Sequence, residues 1–403
     1  MEKIFLLNLG STSLKFKLYE FDKEERVIAS GEFERIGKPS GLWSIEFGTQ
    51  RIEGTKSFPS HEAAYEFCKE MLCEKGVLES FAELSAIGYK AVHAGRLTGT
   101  RYITESLLEE MERFSAFAPA HNPIYLNMMK LIRRKYPEII QVARFETSFH
   151  CTIPLERAVY GVPLEWVEKF GVRRYGFHGS SHEYISWRMR ELSPESRRII
   201  SIHLGGSSSL CAVLDGKSIA CSMGATPQSG LFQNNRVGDF DVFCLPVLSE
   251  AYGGLQNVLD ELSSKSGFLG ISGVSNDLRE ILEETRKGNP RAELALKAFS
   301  DQIAGYIGMF TVYLGGLDAL VFTGGIGLHS GEVRSLVCEK LDFLSVSLEE
   351  SRANASGEGL LSRPESKVQV WALKTNEELI VARHVRDLLR GEEQDGTEYC
   401  MCI

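Results

Sequence analysis

Two stretches of the chain share one pattern of apolar and polar positions. In residues 6–17, two apolar runs flank a turn of Gly and hydroxyl residues, Gly10-Ser11-Thr12-Ser13. Residues 199–213 repeat this plan, with Leu204-Gly205 in the place of Leu9-Gly10. Short apolar runs bounded by Gly and Ser are typical of strands. The repeat predicts that the chain is built from two similar halves.

The first half continues as a sheet followed by helices. Residues 26–36 and 43–56 alternate apolar and polar positions between Gly and Pro breaks, which predicts further strands. The spacing of apolar residues predicts a helix over 61–74, with Ser60 as its N-cap. Later patterns predict a strand over 86–93, helices over 105–114 and 123–135, and a strand over 141–145.

The second half again places strands before helices. An irregular stretch leads into a helix from Glu183, and the later patterns predict strands over 199–220, a long polar turn over 223–241, helices over 242–314, strands over 319–323 and 368–373, and a last helix to Leu389. We predict an α/β fold of two duplicated domains, each a mixed sheet flanked by helices, with a cleft between them. The expected domains are residues 1–148 and 149–384, with a C-terminal helix, 385–403, packing back on the first.

Composition and charge narrow the possible partners. The 403 residues are 43% hydrophobic and 25% charged, as in ordinary globular proteins, and the net charge of −9 favours no nucleic acid. The longest apolar run, 303–317, is shorter than the roughly 20 residues of a membrane span. The nine cysteines form no C-x-x-C pair, and the first residues lack signal-peptide features. We therefore expect a cytoplasmic protein without a membrane or nucleic-acid partner.

Three Gly-rich turns follow predicted strands, at Gly10-Ser11, Gly205-Gly206 and Gly324-Gly325-Ile326-Gly327. Backbone N–H groups in such turns and at helix N-termini suit phosphate oxygens, so three of them favour a polyphosphate. The alternative for a single turn is an ordinary hairpin. The Walker pattern is absent, because residue 211 is Cys where its first Gly would stand, and Asp215-Gly216 instead predicts a hairpin turn.

A small set of side chains could act on a phosphate or its metal ion. The candidate cations are Lys15, Lys90, Arg236 and Arg279, and the candidate histidines are His121, His178 and His182. The alternative for each cation is an ordinary surface charge. His178 is the strongest candidate, because it lies in a glycine-flanked loop and such loops often carry functional groups. Asn8, Glu146 and Glu377 offer the oxygen ligands that Mg²⁺ prefers.

These residues belong to blocks in which the chain resembles the acetate kinase family, nearly from end to end. The matching blocks are residues 8–16, 118–123, 175–182, 222–227, 235–241, 322–327 and 375–379. The resemblance implies two actin-like domains of the ribonuclease H type, as in the actin–hexokinase–heat-shock ATPase superfamily. It also implies a homodimer that transfers phosphate from ATP to acetate or another short carboxylate, giving ADP and acetyl phosphate, with Mg²⁺ or else Mn²⁺.

The resemblance further implies roles for individual residues. Glu146, His178 and Arg236 match catalytic residues, Lys90 and His121 match substrate-binding residues, and Asn8 and Glu377 match the metal site. The implied nucleotide-binding residues are Lys15, His203, Leu204, Gly205, Gly206, Ser207, Asp277, Leu278, Arg279, Gly324, Gly325, Ile326, Gly327 and Leu328.

Some positions depart from the family pattern. Lys90 and Glu146 replace Arg and Asp, Gly206-Ser207 replace Asn-Gly, and Leu328 replaces Glu. Lys cannot form the two parallel hydrogen bonds that Arg makes to a carboxylate, so both the acceptor and the donor are open to change. Two alternatives follow. One is a related kinase that uses pyrophosphate or a larger carboxylate such as propionate or butyrate, and the other is a non-catalytic ATP-responsive binding protein.

Overall fold

Two large mixed β-sheets organise the computed structural model, which describes residues 2–354 and 356–398. Each sheet belongs to a separate unit of the chain. The first unit comprises the residues up to Cys151 together with those from Asn376 onward, and the second comprises Thr152–Thr375.

The strands of the described residues follow one another as β1 (Glu2–Leu9), β2 (Ser13–Phe21), β3 (Glu25–Glu34), β4 (Gly41–Phe47), β5 (Gln50–Lys56), β6 (Ala86–Ala91), β7 (Leu97–Thr98), β8 (Thr100–Tyr102), β9 (Gln141–Phe145), β10 (Arg198–Leu204), β11 (Ser208–Leu214), β12 (Lys217–Cys221), β13 (Ala319–Thr323), β14 (Gly359–Leu360), β15 (Gln369–Ala372) and β16 (Thr397–Glu398). The first sheet has the order β5-β4-β3-β2-β1-β6-β9-β8 and the second the order β12-β11-β10-β13-β15-β14, while β7 pairs with β16.

The two sheets share a topological core. In each, three consecutive strands pair antiparallel, and two later strands extend the sheet in parallel on the other side of the first strand. The cores are β3-β2-β1-β6-β9 and β12-β11-β10-β13-β15. The duplication predicted from residues 6–17 and 199–213 is therefore confirmed.

The α-helices of the described residues are α1 (His61–Glu74), α2 (Glu105–Arg113), α3 (Asn122–Lys135), α4 (Leu155–Ala158), α5 (Leu164–Phe170), α6 (Gly179–Leu192), α7 (Leu245–Tyr252), α8 (Leu255–Ser264), α9 (Gly267–Ser272), α10 (Leu278–Arg286), α11 (Pro290–Leu314), α12 (Gly324–His329), α13 (Gly331–Cys338), α14 (Glu350–Ala353) and α15 (Glu377–Leu389). Short 3₁₀ turns lie at Phe81–Glu83, Ser115–Phe117, Ser148–Thr152, Val242–Cys244 and Glu339–Leu344. Helix α11 packs its buried face, which includes Phe299, Ile303 and Ile307, into the core of the second unit.

Most predicted elements lie within a few residues of the observed ones. The helix with Ser60 as its N-cap is confirmed, since the Ser60 hydroxyl accepts a hydrogen bond from the Ala63 N–H at 3.2 Å. The hairpin turn at Asp215-Gly216 is confirmed as the link between β11 and β12, and both residues have positive φ angles. The helix predicted from Glu183 begins earlier, at Gly179, because the small residues that follow His178 form its first buried turn.

The boundaries of the two units also differ from the predicted boundaries at residues 148 and 384. Helix α15 is continuous from Glu377, and its apolar face, including Val381 and Val385, joins Ile4 and Leu6 in the core of the first unit. This packing assigns the whole helix to the first unit, whereas the predicted boundary would cut through it. Of the predicted C-terminal segment 385–403, residues 399–403 lie outside the described part of the chain.

Candidate active site

The first Gly-rich turn is a hairpin between β1 and β2. The Gly10 N–H donates to the Ser13 carbonyl oxygen at 2.9 Å. The His61 ring closes the turn from outside, since its Nε2 lies 2.8 Å from the Gly10 carbonyl oxygen and 3.2 Å from that of Ser13. The hairpin alternative describes the backbone here, and a phosphate role for the turn stays a prediction.

Asn8 and Lys15 face each other across this hairpin, at paired positions of β1 and β2. The Tyr125 hydroxyl lies 3.4 Å from Asn8 Oδ1, and it accepts a hydrogen bond from the Leu9 N–H at 3.0 Å. Lys15 forms an ion pair with Glu32 at 2.5 Å. Asn8, Lys15 and Lys90 line one pocket of about 260 Å³. The fold therefore brings together three of the predicted site residues of the first unit.

Lys90 lies among carboxylates. Its ammonium group forms an ion pair with Glu377 in which the two side chains are only 18% and 15% exposed. Burial opposes the charge of the ammonium group, but Glu377, Glu146 and Glu378 outweigh it and raise the pKa of Lys90 well above its ordinary value. The predicted acceptor-binding cation and a predicted metal ligand are thus direct neighbours.

The structure places Glu146 and His121 at the ends of two elements of the first unit. Glu146 follows β9 and is buried, and its N–H donates to the Ala91 carbonyl oxygen at 2.9 Å. His121 is partly buried at the N-cap position of α3. Among the described residues, no group of three or more His, Cys, Asp or Glu side chains is arranged to hold a metal ion. Any ion held by Asn8 and Glu377 would therefore need ligands from its substrate or from water.

The second Gly-rich turn is also a hairpin, between β10 and β11. The Gly205 N–H donates to the Ser207 carbonyl oxygen at 3.1 Å, so this bond spans one residue fewer than the one in the first turn. His203 and Leu204 end β10, with Leu204 fully buried and the His203 ring partly exposed. Gly205 and Gly206 then form the wall of a surface pocket of about 760 Å³.

That pocket brings together predicted nucleotide-binding residues from three distant segments. Its lining includes Gly205 and Gly206 from the second hairpin, Asp277, Leu278 and Arg279 from the start of α10, and Gly325 and Ile326 from α12. Asp277 is the N-cap of α10, and its Oδ1 accepts from the Arg279 N–H at 2.9 Å. Hydrogen bonds from Arg279 lower the pKa of Asp277 below its ordinary value.

Gly324 makes a tight turn from β13 into α12. Its φ of +75° is a conformation that favours glycine, and a Cβ there would lie 2.4 Å from the Leu204 carbonyl oxygen. Leu328 is buried in the apolar core of the second unit. The Gly327 carbonyl oxygen accepts from Arg334 Nη1 at 2.8 Å, so this buried arginine supports the turn from behind.

His178 lies at the N-cap position of α6 in the left-handed conformation, with φ of 56° and ψ of 30°. Non-glycine residues adopt this conformation rarely, and such outliers concentrate at functional sites. Its Nδ1 lies 2.8 Å from the Ser209 hydroxyl, and its ring stacks on His203 with centroids 4.3 Å apart.

Arg236 is a partly buried cation with neutral neighbours. Its Nη1 lies 3.3 Å from the Gln233 carboxamide oxygen and 3.5 Å from the Ser207 hydroxyl. Burial alone lowers the pKa of the guanidinium, and no carboxylate of the described residues lies within ion-pair distance to oppose that effect. The charge of Arg236 is thus available for an anionic ligand.

Several residues that line the larger pocket were not predicted from the sequence. These are Asn234, Asn276, Arg286, His329, Ser330, Glu332 and Asn354. One signal was present, since Ser330 precedes the helical spacing of 331–338 and caps α13. The others come from loops or helix faces whose position depends on tertiary packing.

In the described part of the chain, no helix is both long enough and apolar enough to cross a membrane.

Comparison with known proteins agrees with the sequence blocks that carry the family resemblance. The profile of the Acetokinase family matches residues 3–383. Acetate kinase 2 of Listeria monocytogenes serotype 4b is 40% identical over 394 residues, which cover 96% of this chain and 99% of that protein.

Two solved structures have the same fold. The acetate kinase of Porphyromonas gingivalis is 36% identical with a TM-score of 0.86, and the match covers 96% of this chain and 100% of that one. A propionate kinase from Francisella tularensis is 33% identical with a TM-score of 0.88, covering 95% and 99%. Together with the family profile, these matches show that the chain belongs to the acetokinase family.

Proposed function

We propose that this protein transfers the terminal phosphate of ATP to a short-chain carboxylate, with acetate as the expected acceptor, and releases ADP and acetyl phosphate. The observation that carries the proposal is the pocket of about 760 Å³, where three predicted nucleotide-binding segments of this chain meet. The chain's membership of the acetokinase family supports it. The size of this pocket falls within the range of known small-molecule and cofactor sites.

The acceptor needs no general base. A short carboxylic acid is ionised at pH 7, because its pKa lies near ~4. The difficulty is to bring an anion against a terminal phosphate that is itself negatively charged, so catalysis depends on charge neutralisation and in-line positioning. We assign Lys90 to the acceptor carboxylate, with His121 as a further acceptor-binding residue and Glu146 orienting the ammonium group.

His178 and Arg236 are assigned to the phosphoryl group in transfer. Arg236 supports this role through a positive charge with neutral neighbours, and His178 through its strained backbone. Lys15 is assigned to the phosphates of the nucleotide. Such preorganised donors stabilise the charge that develops in the transition state without reorganisation at the moment of reaction.

The oxygen ligands of the first unit suit Mg²⁺ or Mn²⁺. Asn8 supplies a carboxamide and Glu377 a carboxylate, and a hard cation prefers such groups together with water and phosphate oxygens. We propose that these two residues hold the ion, which when bound would neutralise phosphate charge. The proximity of Glu377 to Lys90 supports a site in which several charges are balanced together.

We further propose that the protein is a cytoplasmic homodimer. The second unit exposes apolar side chains around the start of α7, with Phe243, in the turn before the helix, 86% exposed and Val247, within the helix, 71% exposed. Apolar surface of this kind is typical of interaction sites. Seven cysteines within the described residues are free thiols, which suits a reducing compartment. Light scattering during size-exclusion chromatography would test the dimer, and a monomeric mass at micromolar concentration would contradict it.

One trapping assay separates this function from its alternatives. The purified protein is mixed with Mg²⁺, hydroxylamine, and either ATP or pyrophosphate, together with formate, acetate, propionate or butyrate. An acyl phosphate reacts with hydroxylamine to give a coloured hydroxamate. We expect hydroxamate with ATP and acetate.

Each other outcome has a distinct meaning. Product from pyrophosphate but not from ATP would assign a different donor, a possibility that Gly206-Ser207 raises. A preference for propionate or butyrate would indicate a larger acceptor pocket, and the similar structure from Francisella tularensis is that of a propionate kinase. No product from any pair, with nucleotide binding retained, would identify a binding protein.

A further inference from the structure

A group of buried hydroxyl and imidazole side chains lies behind His178. Ser201 and His203 lie on β10 and Ser209 on β11, where His203 and Ser209 are paired positions. Helix α6 contributes His182 to the same group. The side chains of Ser201, Ser209 and His182 are fully buried. His182 was a candidate histidine from the sequence, and neither serine was assigned a role above.

These groups form one continuous chain of short contacts. The His182 ring lies between two serines, with Nδ1 at 2.8 Å from the Ser201 hydroxyl and Nε2 at 2.9 Å from the Ser209 hydroxyl. The Ser209 hydroxyl also lies 2.8 Å from His178 Nδ1. Ser209 therefore links the two imidazoles, and the chain runs from Ser201 through His182 and Ser209 to His178.

Proton counting leaves three arrangements of these hydrogen bonds when both rings are neutral. A hydroxyl has one proton and two lone pairs, so Ser209 can donate to one ring while it accepts from the other, or accept from both rings. In only one arrangement does Ser209 donate to His178 Nδ1, and there it accepts from His182 Nε2–H. The proton of His178 then lies on Nε2. In the other two arrangements His178 is protonated on Nδ1, and its Nε2 carries a lone pair.

The proposed function selects between these arrangements. A lone pair on His178 Nε2 would repel phosphoryl oxygens, whereas an Nε2–H would donate to them. We propose that His182 and Ser209 are positioning residues that hold His178 as the neutral Nε2–H tautomer, ready to donate to the phosphoryl group in transfer. This inference rests on the proposed function only for the direction in which the hydrogen bonds between Ser201 and His178 run.

The stacked ring of His203 supports a neutral donor. The His178 and His203 rings are 4.3 Å apart and inclined by 23°, so positive charge on both would be strongly repulsive. His203 Nδ1 lies 2.8 Å from the Ser181 hydroxyl, which also belongs to α6. The tautomer of a histidine is commonly set by the partner of its other nitrogen, and loss of such partners behind metal-binding histidines costs about 10–100-fold in metal affinity or activity. We take this range as the scale for His178.

The first test reads the tautomer directly, without substrate. Two-bond ¹H–¹⁵N correlation spectra of the full chain, labelled with ¹⁵N-histidine, distinguish the Nε2–H, Nδ1–H and doubly protonated forms. The His178→Asn variant assigns the signal of that ring. We expect wild-type His178 to be the neutral Nε2–H tautomer at pH 7 and Ser209→Ala to shift it toward the other forms. A wild-type His178 that is protonated on Nδ1, or on both nitrogens, would overturn the proposal.

The second test is kinetic. Ser209→Ala should lower kcat about 10–100-fold with less than a threefold change in either KM. The matched control is Ser218→Ala, which removes another fully buried hydroxyl from the same sheet, beside Cys211 on β11, and should leave kcat within twofold. Equal kcat for wild type and Ser209→Ala would overturn the proposal.

Substitution of His182 gives a third and independent test. His182→Gln can place an N–H near the position of Nε2 and so still donate to Ser209, whereas His182→Leu cannot. We expect Gln to retain at least tenfold more activity than Leu at equal thermal stability. Equal loss in both folded variants would contradict a proton-directing role. If the wild type forms no acyl phosphate, the proposed function fails, and the spectra still determine the tautomer of His178.

Discussion

Arg236 offers the sharpest separation of function from stability, because its substitution should move the two in opposite directions. We consider Arg236→Met, which keeps much of the aliphatic volume and removes the charge. Among the described residues, the guanidinium has two hydrogen-bond partners, both neutral oxygen atoms, at 3.3 and 3.5 Å. These distances exceed the usual N–H···O range of about 2.7–3.2 Å, so each contact should contribute no more than about 0.5 kcal/mol to folding.

The cost of holding the charge opposes these weak contacts. Burial lowers the pKa of Arg236, which means that the protein environment disfavours its charged form. Removal of the charge relieves this penalty. We expect the free energy of unfolding of Arg236→Met to lie between that of the wild type and about 1 kcal/mol above it. For domains of this size that corresponds to a rise in Tm of no more than about 2–4 °C.

Activity should fall steeply in the same variant. Loss of one preorganised donor to the charge in a transition state commonly lowers kcat by about 10²–10³, which is about 2.7–4 kcal/mol. The hydroxamate assay at saturating ATP and acetate measures kcat, and calorimetry on the same preparation measures Tm.

A second buried arginine provides the contrast. Arg334 donates to the backbone carbonyl oxygens of Gly327 and Ala353, at 2.8 and 2.6 Å. Arg334→Met would leave both carbonyl groups without that donor, at a cost of about 3–5 kcal/mol. Its Tm should fall by several degrees. Wild-type kcat in Arg236→Met, or a fall in Tm like that of Arg334→Met, would refute the reasoning for Arg236.

Three further predictions concern charge pairing and backbone geometry. Lys90→Met should destabilise the protein by about 2 kcal/mol, because it removes the cation that pairs with Glu377. This value lies between those for exposed and buried ion pairs, and denaturant unfolding measures it. Gly324→Ala should raise the KM for ATP at least tenfold, since the new methyl group would lie 2.4 Å from a backbone carbonyl oxygen and the φ is +75°. Asp318→Asn should weaken the protein at pH 7, and this deficit should shrink as the pH falls below about 3.8. Burial alone would raise the pKa of Asp318, but hydrogen bonds from Arg198 and the neighbouring backbone lower it, so its stabilisation is present above about 3.8 and lost as pH falls through the lower, folded-state pKa.

Each of these predictions has a control. For Lys90, the double variant with Glu377→Gln should recover part of the lost stability, and no recovery would argue against a coupled pair. For Gly324, the control is Gly305→Ala in α11, where an added methyl group meets open space. For Asp318, the control is Asp22→Asn, which replaces an exposed aspartate and is measured over the same pH range. A pH-independent deficit in Asp318→Asn would contradict its assignment.

Local sequence patterns predicted much of the fold. The helix at 61–74 and the strands at 141–145 and 319–323 were predicted at their observed bounds, because each has strong periodicity and clear end signals. The start of α6 was placed too late, since Gly179 and two serines give no apolar spacing. The division of the chain near residue 376 also depends on where the apolar face of α15 packs, and spacing within the helix does not specify its partner.

The sequence by itself determined the duplicated plan, the Gly-rich hairpins and the resemblance to the acetokinase family, because these depend on residue types at fixed local spacing. Tertiary structure alone decided which side chains meet. Lys90 pairs with Glu377 across 287 positions of the chain, and the larger pocket combines turns from three segments. The chain of contacts from Ser201 to His178 arises because strand pairing and helix packing bring buried polar groups together, where each must find a hydrogen-bond partner.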